Sequence, residues 1–353
     1  MQIPNEIHSG FWKEGHVQGI AVDLEKGHIY FSFTTILLKT DLAGKPLGSV
    51  RNLAGHLGCI TFDADRRKVY GSLELKHDSI GKGIIDRTGW NPSEEDNFYL
   101  VCFDADKIDR MELDAEKDGI MRAVWLKQVV EEYAAIDPVS DKKHHYGCSG
   151  IDGTAYGPVF GTEGAKKIMV AYGIYSETAR TDNDHNVILQ YDPDIFDRYG
   201  LSLDQAAPHH NGPEAPEQRY FLYTGNTRWG VQNLEYDPAS RRWLVCVYKG
   251  QKETFTNFPM FLIDGAVEAV EAPLKGRNGE LGMQLTLAKT AEIGLHDLPG
   301  CTFPLGSTGV FAFGDGRFYF SDPISNPEEK TFSSTVRMYR MDETNPQLFT
   351  LCE

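Results

Sequence analysis

The chain is short of the features that mark several large protein classes. No apolar run approaches the roughly 20 residues of a membrane-spanning helix, so no membrane partner is expected. Basic residues are scarce: 35 Lys and Arg stand against 51 Asp and Glu, a formal net charge of −16. Nucleic-acid binding needs a basic field, so it is excluded as a general role, and the acidity reads as solubility. The six cysteines, Cys59, Cys102, Cys148, Cys246, Cys301 and Cys352, contain no CxxC pair, which disfavours a zinc ribbon or a dithiol redox centre. Most lie in apolar strand-like runs, where a thiol acts as a small buried hydrophobe. Reduced thiols and a cytoplasmic location are therefore expected. Met1 to Glu6 shows no basic segment leading into an apolar one, so no secretory signal is expected, with a processed secreted form as the alternative.

Familiar catalytic motifs are missing too. There is no Gly-x-Ser-x-Gly elbow. Gly161-Thr162-Glu163-Gly164 has no P-loop lysine at the required offset. Asp182-Asn183-Asp184 lacks the following glycine and the final Glu of a calcium loop. Helix is scarce; the best candidate lies near Lys127 to Ala135.

What the chain does have is repetition. An apolar strand recurs at His16 to Asp23, His56 to Asp63, His145 to Asp152, Gly230 to Asp237 and Ser307 to Gly314. After each comes a turn and a second strand: His28 to Phe33, Lys68 to Leu73, Lys167 to Tyr175, Arg242 to Tyr248 and Arg317 to Ser321. Third and fourth strands follow in every unit, rich in aromatic and β-branched residues and bounded by Gly, Asp and Pro. Five units of four strands predict an all-β, single-domain, five-bladed β-propeller of four-stranded antiparallel blades. The blades fall approximately at 16–55, 56–144, 145–228, 229–306 and 307–353, with 1–15 covering a face or closing the ring. Gly19-Ile20-Ala21-Val22-Asp23, with Gly27, Ile29 and Tyr30, resembles the repeat of NHL and gluconolactonase-type propellers. That resemblance implies the fold and no particular activity.

Antiparallel strands place the loops between second and third strands on one face, together with the connections that lead into each inner strand. These loops are long at Glu74 to Asn97, Ser176 to His185, Lys249 to Asn257 and Asp322 to Ser334. Binding is expected on this elaborated face. His16, His56 and His145 open the inner strands of three units, each seven residues before an aspartate. Converging on the axis, they could share a divalent metal with an open coordination position, serve as metal-free binding groups, or simply bond backbone. His144 replaces His145 if the register is one residue off.

Gln18 and Gln232 take equivalent places two residues further on, either holding a ligand or lining a wet channel. Glu235 stands where the other units have small residues, either as a general base or as half of a salt bridge to a neighbour such as Arg228. Glu74, His77, Arg180, His185, Arg228, Trp229 and Lys249 complete the substrate-binding candidates on the rim, with Tyr175 beside Glu235 and His145 as catalytic candidates. Each alone reads equally as a solvated loop residue. Asp23, Asp63, Asp152 and Asp237 are assigned to turn capping on the plain face. Cys59 and Cys148 hold matching positions, which favours packing over nucleophilic use.

The expected function is an enzyme with a histidine-lined site at the channel mouth. It would hydrolyse, or β-eliminate from, a small polar substrate containing a sugar or carboxylate, with divalent-metal help. The competing class is a non-enzymatic propeller that binds a glycan or another partner.

Overall fold

The computed structural model describes residues 2–89, 93–225 and 227–353. Its strands form five antiparallel blades around an axis, a five-bladed β-propeller. Blade one is Val17–Asp23, His28–Phe33, Ile36–Asp41 and Pro46–Arg51. Blade two is His56–Asp63, Lys68–Leu75, Asn97–Asp104 and Met121–Trp125. Blade three is Cys148–Pro158, Lys166–Ile174, His185–Tyr191 and Gln218–Tyr223. Blade four has Arg228–Asp237, Arg242–Tyr248 and Met260–Asp264. Its fourth place is held by isolated bridges from Leu287 to Ile263 and from Cys301 to Met260. Blade five is Val310–Ala312, Arg317–Asn326 and Thr331–Met341, edged by Phe349–Leu351.

Each inner strand is apolar towards its neighbours, and the buried side chains gather into five clusters, one per blade interface. Tyr30 stacks on Phe62 between blades one and two, with ring centroids 5.9 Å apart. Ile7, Val17, Phe31, Tyr319 and Val336 fill the interface between blades five and one. Such nearest-neighbour packing lets a disc stand without one central core.

The ring closes on the N-terminal strand Glu6–His8, which pairs with Thr335 to Arg337 beside the C-terminal strand Phe349–Leu351. Both ends of the chain thus share the outer edge of blade five. Three helices stand outside the blades among the described residues: α1, Ser79–Thr88, α2, Lys127–Ala134, and the short α3, Ile195–Tyr199. α1 starts where the Asp78 carboxylate accepts the Ile80 and Gly81 N–H groups, and it stops at left-handed Gly89. Among the described residues no helix is long and apolar enough to cross a membrane.

Turn capping by Asp23, Asp63 and Asp237 is present: each carboxylate accepts backbone N–H groups two or three residues on. Asp152 does not cap a turn. The inner strand of blade three begins at Cys148 and runs to Pro158, so the turn comes six residues later and Asp152 lies within the strand.

Closure makes a direct prediction. Ile7 is 1% exposed in the seam cluster, so Ile7→Ala should cost about 2–4 kcal/mol in urea unfolding. A loss below about 0.5 kcal/mol would mean that the N-terminal strand does not hold the ring.

Candidate functional site

Inner strands deliver the same positions to the axis. Val17, Leu57, Ile151 and Val231 each form the last pair with the second strand before a bulge. The residue before that pair is His16, His56, Gly150 and Gly230. The residue after it is Gln18, Gly58, Asp152 and Gln232. Bulges re-aim side chains, and here they turn Gln18, Asp152 and Gln232 into one cavity at the channel mouth. The cavity has a volume of about 400 Å³, and His16, His56, Glu74, Lys76, Trp229 and Tyr248 also line it. α1 lies over one side and contributes Arg87.

Glu74 organises the polar wall. One oxygen accepts the Ile151 N–H at 2.8 Å. The other pairs with Lys76 Nζ at 2.8 Å and lies 3.5 Å from Nδ1 of His56. Burial alone would raise this carboxyl, but the Lys76 ammonium, with the His56 imidazole beside it, outweighs burial and holds it below the usual range. Lys76 donates onward to the Ser149 carbonyl at 2.8 Å and faces Asp78 at 3.5 Å. Its buried ammonium is raised because Glu74 and Asp78 outweigh desolvation.

The imidazoles and Asp152 are tuned differently. His16 Nδ1 donates to the Val17 carbonyl at 2.9 Å, which leaves Nε2 as an acceptor, 3.3 Å from the Gln18 amide nitrogen. Burial lowers its pKa, so His16 is neutral at pH 7. Asp152 takes the Cys59 N–H at 3.3 Å. Burial, partly offset by His56, pushes its carboxyl up to about 7. A carboxyl that titrates near neutrality beside a carboxylate-backed imidazole is suited to exchanging protons with a bound molecule.

Several sequence candidates lie elsewhere. His145 is outside this cavity, stacked on Tyr146 at 3.9 Å, and its Nε2 accepts from Arg277 at 2.9 Å. The three histidines therefore do not converge. Among the described residues no three His, Cys, Asp or Glu side chains are grouped to hold a metal ion. Arg180 is fully buried, paired with Asp182 at 2.9 Å, and donates to the Lys143 and His144 carbonyls; it has no free edge for a substrate. His185 is buried against Tyr223, and burial lowers it to about 4, so it is a neutral internal ring. Lys249 is exposed.

Tyr175 and Arg228 line a second hollow next to the mouth, and His77 lines a third, paired with Asp96 at 3.1 Å. Glu235 sits at the opposite mouth of the channel, with Tyr156, Tyr236 and Phe311 around it. Five residues of strand separate it from Gly230, a rise of about 16 Å. Between the mouths Asn233 bridges the Gln18 and Ser307 carbonyls. Arg228 is not its partner; Glu235 accepts the Ala312 N–H at 2.9 Å.

Asp152, Lys76 and Arg87 were not candidates in the sequence. No local signal set Asp152 apart, because Asp152-Gly153 reads as a turn dipeptide in the sequence. Arg87 followed an Asp cap, but on a stretch with too few apolar residues to read as helix.

No family model matches the sequence, and no curated protein matches it. Solved structures similar to it include a GH43 β-1,3-galactosidase with galactodeoxynojirimycin, at 12% identity and a TM-score of 0.44, covering 96% of this chain and 93% of that one. The soluble aldose sugar dehydrogenase of Escherichia coli in its apo form gives 8% identity and 0.37, covering 93% and 98%. A β-propeller domain from Myceliophteria thermophila gives 8% and 0.32, covering 92% and 98%. Likenesses this distant say nothing of substrate or chemistry.

Glu235 offers a test of the lower mouth. Burial raises its carboxyl from 4.5 to about 8. A carboxyl raised in the folded state favours folding below its unfolded pKa, and that contribution fades as pH climbs through the folded value. Glu235→Gln should therefore gain on wild type between pH 5 and pH 9, by up to about 4 kcal/mol in denaturant unfolding. An unchanged gap would mean that Glu235 is well solvated.

Proposed function

We propose that the mouth cavity is the active site of an enzyme that performs hydrolysis or β-elimination on a polar molecule containing a sugar or carboxylate. One observation carries this reading: Asp152 and the Glu74-backed His56 face the same cavity from adjacent blades. In hydrolysis, His56 takes a proton from water as the water oxygen bonds to the reacting carbon, the bond from that carbon to the leaving oxygen breaks, and Asp152 gives its proton to that oxygen. In elimination, His56 takes the proton next to a carboxyl group, the C–O bond breaks as the C=C bond forms, and Asp152 protonates the departing oxygen. Glu74 orients His56 and balances its positive charge. Arg87 lines the cavity and has no ion-pair partner among the described residues, so it is free to hold a carboxylate.

Two further parts of the reading have their own support. His16 and His56 share the cavity, and a divalent cation held by them would take His56 out of the role of base; elemental analysis of untagged protein separates the two, since His56→Ala removes a stoichiometric ion only where His56 is a ligand. Six free cysteines, five of them buried, suit a reducing compartment, and on this reading the protein is cytoplasmic.

On a substrate found by screening acidic and neutral glycosides, His56→Gln and Asp152→Asn should each lower kcat by about 10²–10⁴ without loss of fold. Wild-type activity should fall above about pH 7 as Asp152 loses its proton, and Asp152→Asn should lack that limb. Glycan binding without turnover, or turnover indifferent to both substitutions, would favour a binding propeller instead.

A further inference from the structure

A row of rings leads away from the mouth cavity. Trp229 lines the cavity and also the second hollow, of about 530 Å³. Tyr175 follows at a centroid distance of 6.0 Å, then His144 at 4.8 Å and Tyr133 at 4.6 Å. His144 is shared with the third hollow, of about 600 Å³, whose far wall is Trp125 stacked on His210 at 4.7 Å.

The polar ends of these rings are already tied down. Tyr175 donates to Asp78 at 2.8 Å, His144 Nδ1 to the Tyr133 carbonyl at 2.7 Å, and Trp125 Nε1 to Asn97 at 2.8 Å. The rings of the row meet at tilted or edge-on angles of 50° to 66° and are only partly buried, so apolar ring surface stays open to the hollows. Trp229 and His144 hold φ values of 64° and 70°, a backbone region that bulky residues rarely enter and that collects at functional sites. Between the rings stand hydrogen-bonding groups, among them Glu177, Arg228, Gln251 and Asp96; the aliphatic lining is confined to Val130 and Ala134. Flat apolar faces alternating with hydrogen-bonding edges match a chain of pyranose rings, which present C–H faces and hydroxyl edges.

We infer that the ligand of this face is an oligosaccharide laid along the row from Trp229 to Trp125, with its reacting unit in the mouth cavity. The direction of the chain rests on the function proposed above; the row itself does not.

The test uses the full chain on a printed glycan array holding neutral and uronic-acid sugars from monosaccharides to hexasaccharides. Titration calorimetry then compares the best-retained chain with its own monosaccharide. Retention should require chains longer than a disaccharide. Trp125→Ala should weaken the long chain roughly tenfold or more and leave the monosaccharide unchanged, and Trp125→Phe should restore most of the loss. On a turned-over chain Trp125→Ala should raise KM and spare kcat. No glycan retained, equal binding of monosaccharide and chain, or a Trp125→Ala protein that is folded yet binds chains normally would each overturn the inference. His56→Gln separates the two ideas: chain-length-dependent binding that persists without turnover keeps the ring row, whereas failure of turnover in wild type removes only the reaction.

Discussion

The buried pair of Glu74 and Lys76 fixes the rest of the site. Both side chains are 4% exposed, and besides pairing with each other each also bonds across to the next blade. Glu74 reaches across to the Ile151 N–H and Lys76 to the Ser149 carbonyl, so blade two grips the start of blade three's inner strand. This grip needs Gly150, whose φ is 123° and whose place leaves no room for a Cβ beside the Glu74 carboxylate. Removing one charge of such a pair leaves the other uncompensated, at a cost of about 3–5 kcal/mol. The same carboxylate lies 3.5 Å from the His56 imidazole, and the bulge that follows Ile151 aims Asp152. The Asp152 carboxyl, the His56 imidazole and the contact between the two blades are thus one construction.

A second ionic assembly explains why other charged candidates are absent from the mouth. Asp137, Arg180, Asp182 and Arg277 are all fully buried, with Arg277 on Asp137 at 2.6 Å and Arg180 on Asp182 at 2.9 Å. The cluster joins the segment before blade three, the long loop within blade three, and the Leu274 to Glu280 turn that follows Val270–Pro273. Arg277 also stacks on Tyr146 and holds His145. The charges are satisfied by one another, so they position loops and meet no ligand. Lys252, donating to Asn183 at 2.9 Å, ties the next loop to the same segment. The elaborated face is therefore stiff enough to hold rings such as His144 and Tyr175 in place.

Much of the fold was legible because blades repeat local signals: apolar strands, Asp-capped turns at Asp23, Asp63 and Asp237, and long loops on one side. The choice of face followed from strand alternation alone. The failures have physical causes. The aspartate of blade three imitates the others in sequence, but its strand carries two bulges, and bulges break the residue count on which alignment depends. Glu235 was grouped with the histidines by strand position without the length of the strand being taken into account. Arg180 lies two residues from Asp182, a local hint of pairing, but Asp137 and Arg277 are distant in sequence and no local pattern announces them. α1 carries a good cap at Asp78 and a good stop at Gly89, yet its sequence is too polar to show a helical stripe.

The broken symmetry of the inner strands concerns positions rather than histidines. In register, the mouth positions read His16, His56, Gly150 and Gly230, and the next inward positions read Gln18, Gly58, Asp152 and Gln232. Gly58 is the exception that matches Asp152. A Cβ at residue 58 would lie 2.5 Å from the Asp152 carboxylate oxygen, so blade two gives up its side chain where blade three inserts an acid. Two adjacent blades depart from the repeat in complementary ways, and each departure would be costly without the other. Packing needs of a repeat fold would favour equivalent residues at equivalent places. A matched pair of exceptions beside the His56 imidazole fits a requirement of the cavity better than a requirement of the disc.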